Sequence, residues 1–178
     1  MRILGVDPGT WRTGTGILEV RGNRYSVIRE ELISVPKKLV IADRLAYIYQ
    51  SLKTLMAKYQ PDVLALENLF FGIDVKAMVR IGEARACAML AASESGISVM
   101  EYLPTRVKQA VTGNGRATKS QVQNMVKRLL NLPAVLPPDV SDALAVAICH
   151  AHAKNNGRSP ESAQLQVPRR TIKRVVKG

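Results

Sequence analysis

Residues 3–20 read "ILGVDPGTWRTGTGILEV", and the first five of them decide the fold. Ile3, Leu4 and Val6 stand close enough together to predict a strand buried on both faces. Pro8 and Gly9 end that strand, and a second strand-like run begins near Thr15. Asp7 closes the first strand. An ionised carboxylate is costly to bury without a partner. Asp7 therefore either caps the turn that follows or lies beside something cationic.

Working outward, strands are expected at 2–7, 14–20 and 25–35, with Gly22-Asn23 as the hairpin turn between the last two. Ile41, Leu45, Ile48, Leu52, Leu55 and Tyr59 recur at helical spacing and predict an amphipathic helix over 38–59. "DVLALE" at 62–67 reads as a short buried strand. A small-residue-rich helix follows over 75–95, then the strand "ISVMEY". Pro104 opens a short helix, "GNGR" breaks the chain, "TKSQVQNMVKRLLN" forms another helix, and residues 139–154 form the last. Hairpin-linked strands followed by alternating helices and strands indicate an α/β domain with a mixed sheet. The domain is expected to span 1–154. Residues 155–178 are polar, basic and weakly periodic, and read as a flexible tail.

Charge narrows the function. Twenty-six Lys and Arg against fourteen Asp and Glu give a net charge of +12 in 178 residues. No acid occurs from Tyr102 to Pro138, where Arg106, Lys108, Arg116, Lys119, Lys127 and Arg128 lie, and the tail carries six basic residues against one acid. This balance suits a polyanionic partner, nucleic acid ahead of membrane, since no lipid-insertion helix is evident. The chain has no long apolar run of membrane-spanning or signal-peptide type, so a cytoplasmic protein is expected. Cys87 and Cys149 sit in Ala-rich helical stretches and are expected to be reduced core residues.

Against this basic background, four acids occupy conspicuous positions. Glu67 ends its apolar strand as Asp7 ends the first. Asp139 and Asp142 stand three apart at the start of a nearly all-apolar helix, on one face. Singly, Asp139 also suits a helix first turn, Glu67 a salt-bridged strand end, and Asp7 a turn. Together they are harder to explain structurally, because two carboxylates about 4 Å apart repel by roughly 4 kcal/mol at an effective dielectric of 20. A cluster of four requires protonation or a divalent cation, and all-oxygen ligation suits Mg²⁺ or Mn²⁺. Carboxylates gathered on a basic protein are the pattern of a metal-dependent nuclease. "GNGRATKS" is not a nucleotide-phosphate loop, because Thr118 precedes its Lys and a helix, not a strand, precedes the loop. His150 and His152 read as ordinary histidines near a helix C-terminus.

In order along residues 2–152, "GVDPGTWRTGTGI", "LALENLFF", "IGEARA", "VKQAVTGNGRATKSQVQ" and "DVSDALAVAICHAH" resemble the RuvC-type Holliday junction resolvases of bacteria. That family belongs to the ribonuclease H-like superfamily. The resemblance implies a mixed five-stranded sheet flanked by helices. It also implies that Asp7, Glu67, Asp139 and Asp142 hold two Mg²⁺ ions, with Mn²⁺ as a substitute. It further implies a homodimer that nicks opposed strands of a four-way DNA junction during recombination and repair, with the RuvA–RuvB complex as a candidate partner. By the same resemblance Phe70 stacks on DNA near the crossover, and Lys108 and Lys119, with Arg116 in the same basic segment, belong to the DNA face. The small-residue helix 75–95 is the candidate dimer interface, although such a helix is equally natural against the sheet. A catalytically silent junction-binding protein, or a nuclease acting on another structured nucleic acid, are the alternative functions.

Overall fold

The computed structural model describes residues 1–68 and 75–155. Its centre is one mixed sheet. The strands β1 (Arg2–Asp7), β2 (Arg12–Arg21) and β3 (Arg24–Ser34) form an antiparallel meander. Gly22 makes the β2–β3 turn at φ 58°, a left-handed conformation that costs glycine little. On the other side of β1 lie the parallel strands β4 (Val63–Glu67) and β5 (Ser98–Tyr102), so the strand order is β3-β2-β1-β4-β5. This is the expected five-stranded, ribonuclease H-like mixed sheet.

Side chains alternate across each strand, and the alternation sorts the core into two halves. Leu4, Val6, Ile17, Leu64 and Leu66 face α1 (Ile41–Tyr59) and α2 (Val75–Glu94). Ile3, Leu18, Val63 and Ala65 face the other layer, formed by α3 (Pro104–Thr112), α4 (Lys119–Leu129) and α5 (Pro138–Asn155). Apolar side chains on both faces make β1 and β4 the continuous hydrophobic runs seen in the sequence.

Two elements start two or more residues away from where they are expected. β2 begins at Arg12 because Ser34, at the end of the long β3, offers it a pairing partner. The first helix begins at Ile41 and not at 38, since Leu39 N–H turns back to the carbonyl of Pro36 at 3.3 Å and Val40 is extended. Cys87 and Cys149 are buried and free, as expected. Among the described residues, no helix is long and apolar enough to cross a membrane. Beyond Asn155, the expected tail lies outside the described residues.

Candidate active site

The alternation that sorts the core also aims the acids. Asp7 shares a strand face with Ile3, and Glu67 shares one with Val63 and Ala65, so both carboxylates belong to the α5 side of the sheet. β1 and β4 are hydrogen-bonded neighbours, with Val6 paired to Leu66, which sets Asp7 and Glu67 side by side at their C-terminal ends. Among the described residues, no hydrogen bond ties the Asp7 carboxylate to the turn that follows. That turn is held by Thr13, whose hydroxyl donates to the Gly9 carbonyl at 2.8 Å. Asp7 is therefore not a turn cap.

Asp139 and Asp142 arrive from above, and glycines let them. Gly14 lies opposite Asp7 in the antiparallel ladder, and Gly5 lies opposite Gly16. A Cβ added at Gly14 would stand 1.9 Å from the Asp139 carbonyl oxygen, and one at Gly5 would stand 1.9 Å from that of Ala143. The backbone of α5 thus rests directly on bare strand backbone, which places the first turn of the helix over the ends of β1 and β2. Asp139 and Asp142 follow on the face already inferred from their spacing.

The electrostatics register this gathering. Burial, then the charges of Asp142 and Asp139, raise the Asp7 carboxyl from its ordinary 3.8 to about 7, with Lys119 opposing and Glu67 adding to the rise. Burial and Asp142 likewise raise Glu67, against the pull of Lys108 and Lys119. Even so, among the described residues no three acidic, histidine or cysteine side chains are close enough to enclose a metal ion. Asp139 instead pairs with Arg12 Nε at 2.9 Å, and Asp142 with Lys119 Nζ at 2.6 Å. Arg12 and Lys119 are both more than half exposed, and exposed pairs of this kind contribute only about 0–1 kcal/mol. A divalent cation would compete for the two helix acids against weak partners. The all-oxygen donor set and the raised proton affinity of Asp7 fit a hard divalent cation.

Lys119 is delivered by the segment once weighed as a phosphate loop. Gly113 ends α3 at φ 78°, Gln109 donates to the Gly113 carbonyl at 2.8 Å, and its Oε1 accepts from Gly115 N–H at 3.0 Å. Thr118 then opens α4 with a capping box to Gln121, making Lys119 the first helical residue. A cation at a helix N-terminus is unfavourable with the helix dipole, and Asp142 offsets it while raising the Lys119 pKa. Lys108 lies near enough to Glu67 to lower its pKa. Arg116 is exposed in the α3–α4 turn and forms no ion pair among the described residues. Phe70 lies outside the described residues.

Two contributors escaped the sequence reading. Arg12 was visible in "DPGTWR" but had no evident partner. Arg85, only 8% exposed, donates Nη1 to the Glu67 carbonyl at 2.7 Å and pairs with Glu101 through Nη2. A lone base in the Ala-rich "GEARACAMLAAS" was the available signal. His150 is not an ordinary helix-end residue: it is buried, with Nδ1 2.6 Å from the Tyr102 hydroxyl.

Residues 3–150 match the family model described as "Crossover junction endodeoxyribonuclease RuvC". A protein of that name from Ruminiclostridium cellulolyticum is 46% identical over 158 residues, covering 88% of this chain and 95% of the relative. Another, from Desulforamulus reducens, is 50% identical over 152 residues, covering 85% and 93%. Among solved structures, T. thermophilus RuvC in complex with Holliday junction substrate superposes with a TM-score of 0.83 at 30% identity, covering 88% of this chain and 96% of that one. The yeast mitochondrial Holliday junction resolvase Ydc2, at 13% identity and a TM-score of 0.64 over 88% and 80%, shares the fold.

Proposed function

This chain belongs to the RuvC family of crossover junction endodeoxyribonucleases, and on that premise we propose that it resolves Holliday junctions by hydrolysing phosphodiesters in opposed strands. The observation that carries the reading is the convergence of Asp7, Glu67, Asp139 and Asp142 at one end of the sheet, flanked by Lys108 and Lys119. These acids would hold one or two Mg²⁺ ions, with Mn²⁺ as a substitute. Such ions supply a Lewis acid for the scissile phosphate, a more acidic attacking water and a partner for the leaving 3′ oxygen. Lys119 and Lys108 hold the phosphate backbone beside the acids and neutralise part of its charge. Burial and the neighbouring acids raise the Asp7 carboxyl to about 7, and a cation held there would favour its charged form.

A two-fold junction calls for two identical sites, and α2 is suited to join them. Its outward stripe carries Val75, Val79, Gly82, Ala86 and Leu90, spaced for a helix face, and Val75, Val79 and Leu90 are prominently exposed. The homodimer rests on that stripe and on the family. Stacking by Phe70 on a base near the crossover, a nonspecific hold by residues 155–178, exchange with RuvA–RuvB and a bacterial cytoplasmic location rest on the family resemblance and on composition. The test is incubation of the full-length protein with end-labelled four-way and linear duplex DNA, in Mg²⁺ and in EDTA. Paired nicks in the junction alone, abolished by EDTA, are expected. Cutting in EDTA would remove the metal reading, and tight junction binding without nicks in Mg²⁺ or Mn²⁺ would leave a binding protein.

A further inference from the structure

The carboxylates face the α5 side of the sheet, and Lys108, Arg116 and Lys119 belong to elements on that side. At the same end of the sheet, on its opposite face, stands a feature those assignments do not use. Trp11 follows Asp7 by four residues, immediately precedes Arg12, and is 43% exposed. The Arg44 guanidinium of α1 lies 3.3 Å from the centre of its indole ring. That separation is stacking contact, so Arg44 covers one ring face and the exposure of Trp11 falls on the rest of the residue. Neither partner is free to wander. Arg44 Nε donates to the Leu39 carbonyl at 2.7 Å, and the Trp11 carbonyl accepts from Val35 N–H at 2.9 Å.

The surroundings indicate what would lie against the exposed part. Between Glu31 and Asp62 the chain has a single acid, Asp43, against Lys37, Lys38, Arg44, Lys53 and Lys58. Lys37 and Lys38 are exposed on the segment leading into α1. An indole stacked on a fixed cation, with exposed Lys37 and Lys38 two and three residues beyond the Val35 that bonds its carbonyl, is a combination that receives nucleobases and the adjoining phosphates. Position agrees. Trp11 is three residues along β2 from Gly14, the partner of Asp7, which is about 10 Å of strand. A strand whose phosphate lies at the carboxylates beside Lys119 reaches Trp11 within one or two nucleotides if it continues over the loop at 8–11.

We propose that Trp11, backed by Arg44, is a second DNA contact of this protein: a stacking platform for an unpaired base of the junction strand, on the side of the carboxylates away from Lys119. The inference rests on the junction-cutting reading above and adds a specificity-determining surface to it. Pre-organisation is what makes the platform effective, since the ring is already held before DNA arrives.

Trp11 is the only tryptophan of the chain, so its fluorescence reports on this place directly. Titrating the full-length protein with four-way junction DNA in EDTA should quench and shift the emission in step with binding followed by gel mobility. Trp11→Ala should raise the junction Kd about tenfold, the effect of losing one base–aromatic stack, with an unchanged melting midpoint. Trp11→Phe should recover most of the affinity. Wild-type protein that binds and cuts junctions with unmoved emission, together with a Trp11→Ala variant of unchanged Kd, would overturn the platform while leaving the enzyme reading intact. A wild-type chain that neither binds nor cuts junctions would remove both.

Discussion

Arg85 Nη1 donates to the backbone carbonyl of Glu67 at 2.7 Å, at the point where β4 leaves the sheet. The next residue still bonds across to β5, Asn68 N–H donating to the Tyr102 carbonyl at 2.8 Å. The guanidinium also pairs with Glu101 on β5, so a single buried side chain from α2 ties together the two strand ends around a site acid. Removing one member of a buried pair costs about 3–5 kcal/mol, because the other loses the charge that compensated its burial. Arg85→Leu should therefore lower the melting temperature substantially. Arg85→Leu with Glu101→Leu should regain part of the stability yet remain poor in cleavage, since the Glu67 carbonyl stays unheld. Cleavage per folded molecule equal to wild type in the double variant would confine Arg85 to a structural role.

Asp7→Asn separates chemistry from folding. Nicking should be lost while junction binding persists, because the proposed ligands are distinct from the cations that hold DNA. Stability should move the other way. The folded Asp7 keeps its proton up to about pH 7, whereas an ordinary Asp releases it near 3.8, so the contribution of Asp7 to stability without metal falls as pH rises through that interval. Asn carries no charge to bury. In EDTA at pH 8, Asp7→Asn should melt above wild type, by an amount corresponding to a few kcal/mol at most, and the gap should close toward pH 4. A variant less stable than wild type at pH 8 in EDTA would show that Asp7 is a structural acid.

Gly14→Ala should act on the site through the helix above it. Its Cβ would meet the Asp139 carbonyl carbon at 2.2 Å as well as the oxygen, so α5 must move away from β2. Overpacking of this kind costs typically about 1–3 kcal/mol. A displacement near 1 Å of Asp139 and Asp142 should reduce cleavage by about 100-fold in protein that is still folded. Single-turnover cleavage at saturating protein, alongside circular dichroism, is the measurement. Unimpaired cleavage would mean that the first turn of α5 does not have to sit where it does.

His150 should make the fold acid-sensitive. Burial, with Lys154 adding to it, lowers its pKa from 6.5 to about 4, and its unprotonated Nδ1 can accept the Tyr102 hydroxyl. Between those two values the unfolded chain binds a proton that the folded protein does not. Stability contributed by this residue therefore rises from pH 4 to 6.5 and is lost on acidification, by something on the order of 3 kcal/mol. Urea midpoints across that window should depend less steeply on pH in His150→Gln than in wild type. Equal slopes would show that His150 does not contribute to the acid sensitivity.

The local code was rich in this chain. Short continuous apolar runs placed Asp7 and Glu67 at strand ends, Gly22-Asn23 marked the hairpin, and a three-residue spacing put Asp139 and Asp142 on one helical face. These readings depend only on neighbours within a turn or a strand. The motifs in order were enough for the family and, through it, for the ribonuclease H-like sheet. What required tertiary structure depends on segments far apart in the chain. That Gly14 is bare so that α5 can lie on it follows only from the packing of β2 against a helix more than a hundred residues later. Arg12 found Asp139 across 127 residues, and Arg85 found the Glu67 carbonyl across 18, from a different element in each case. A long cationic side chain has several rotatable bonds and reaches in many directions, so its sequence position says little about its partner. Burial and the sheet's twist between neighbouring strands select one direction, and that selection exists only once the layers have closed.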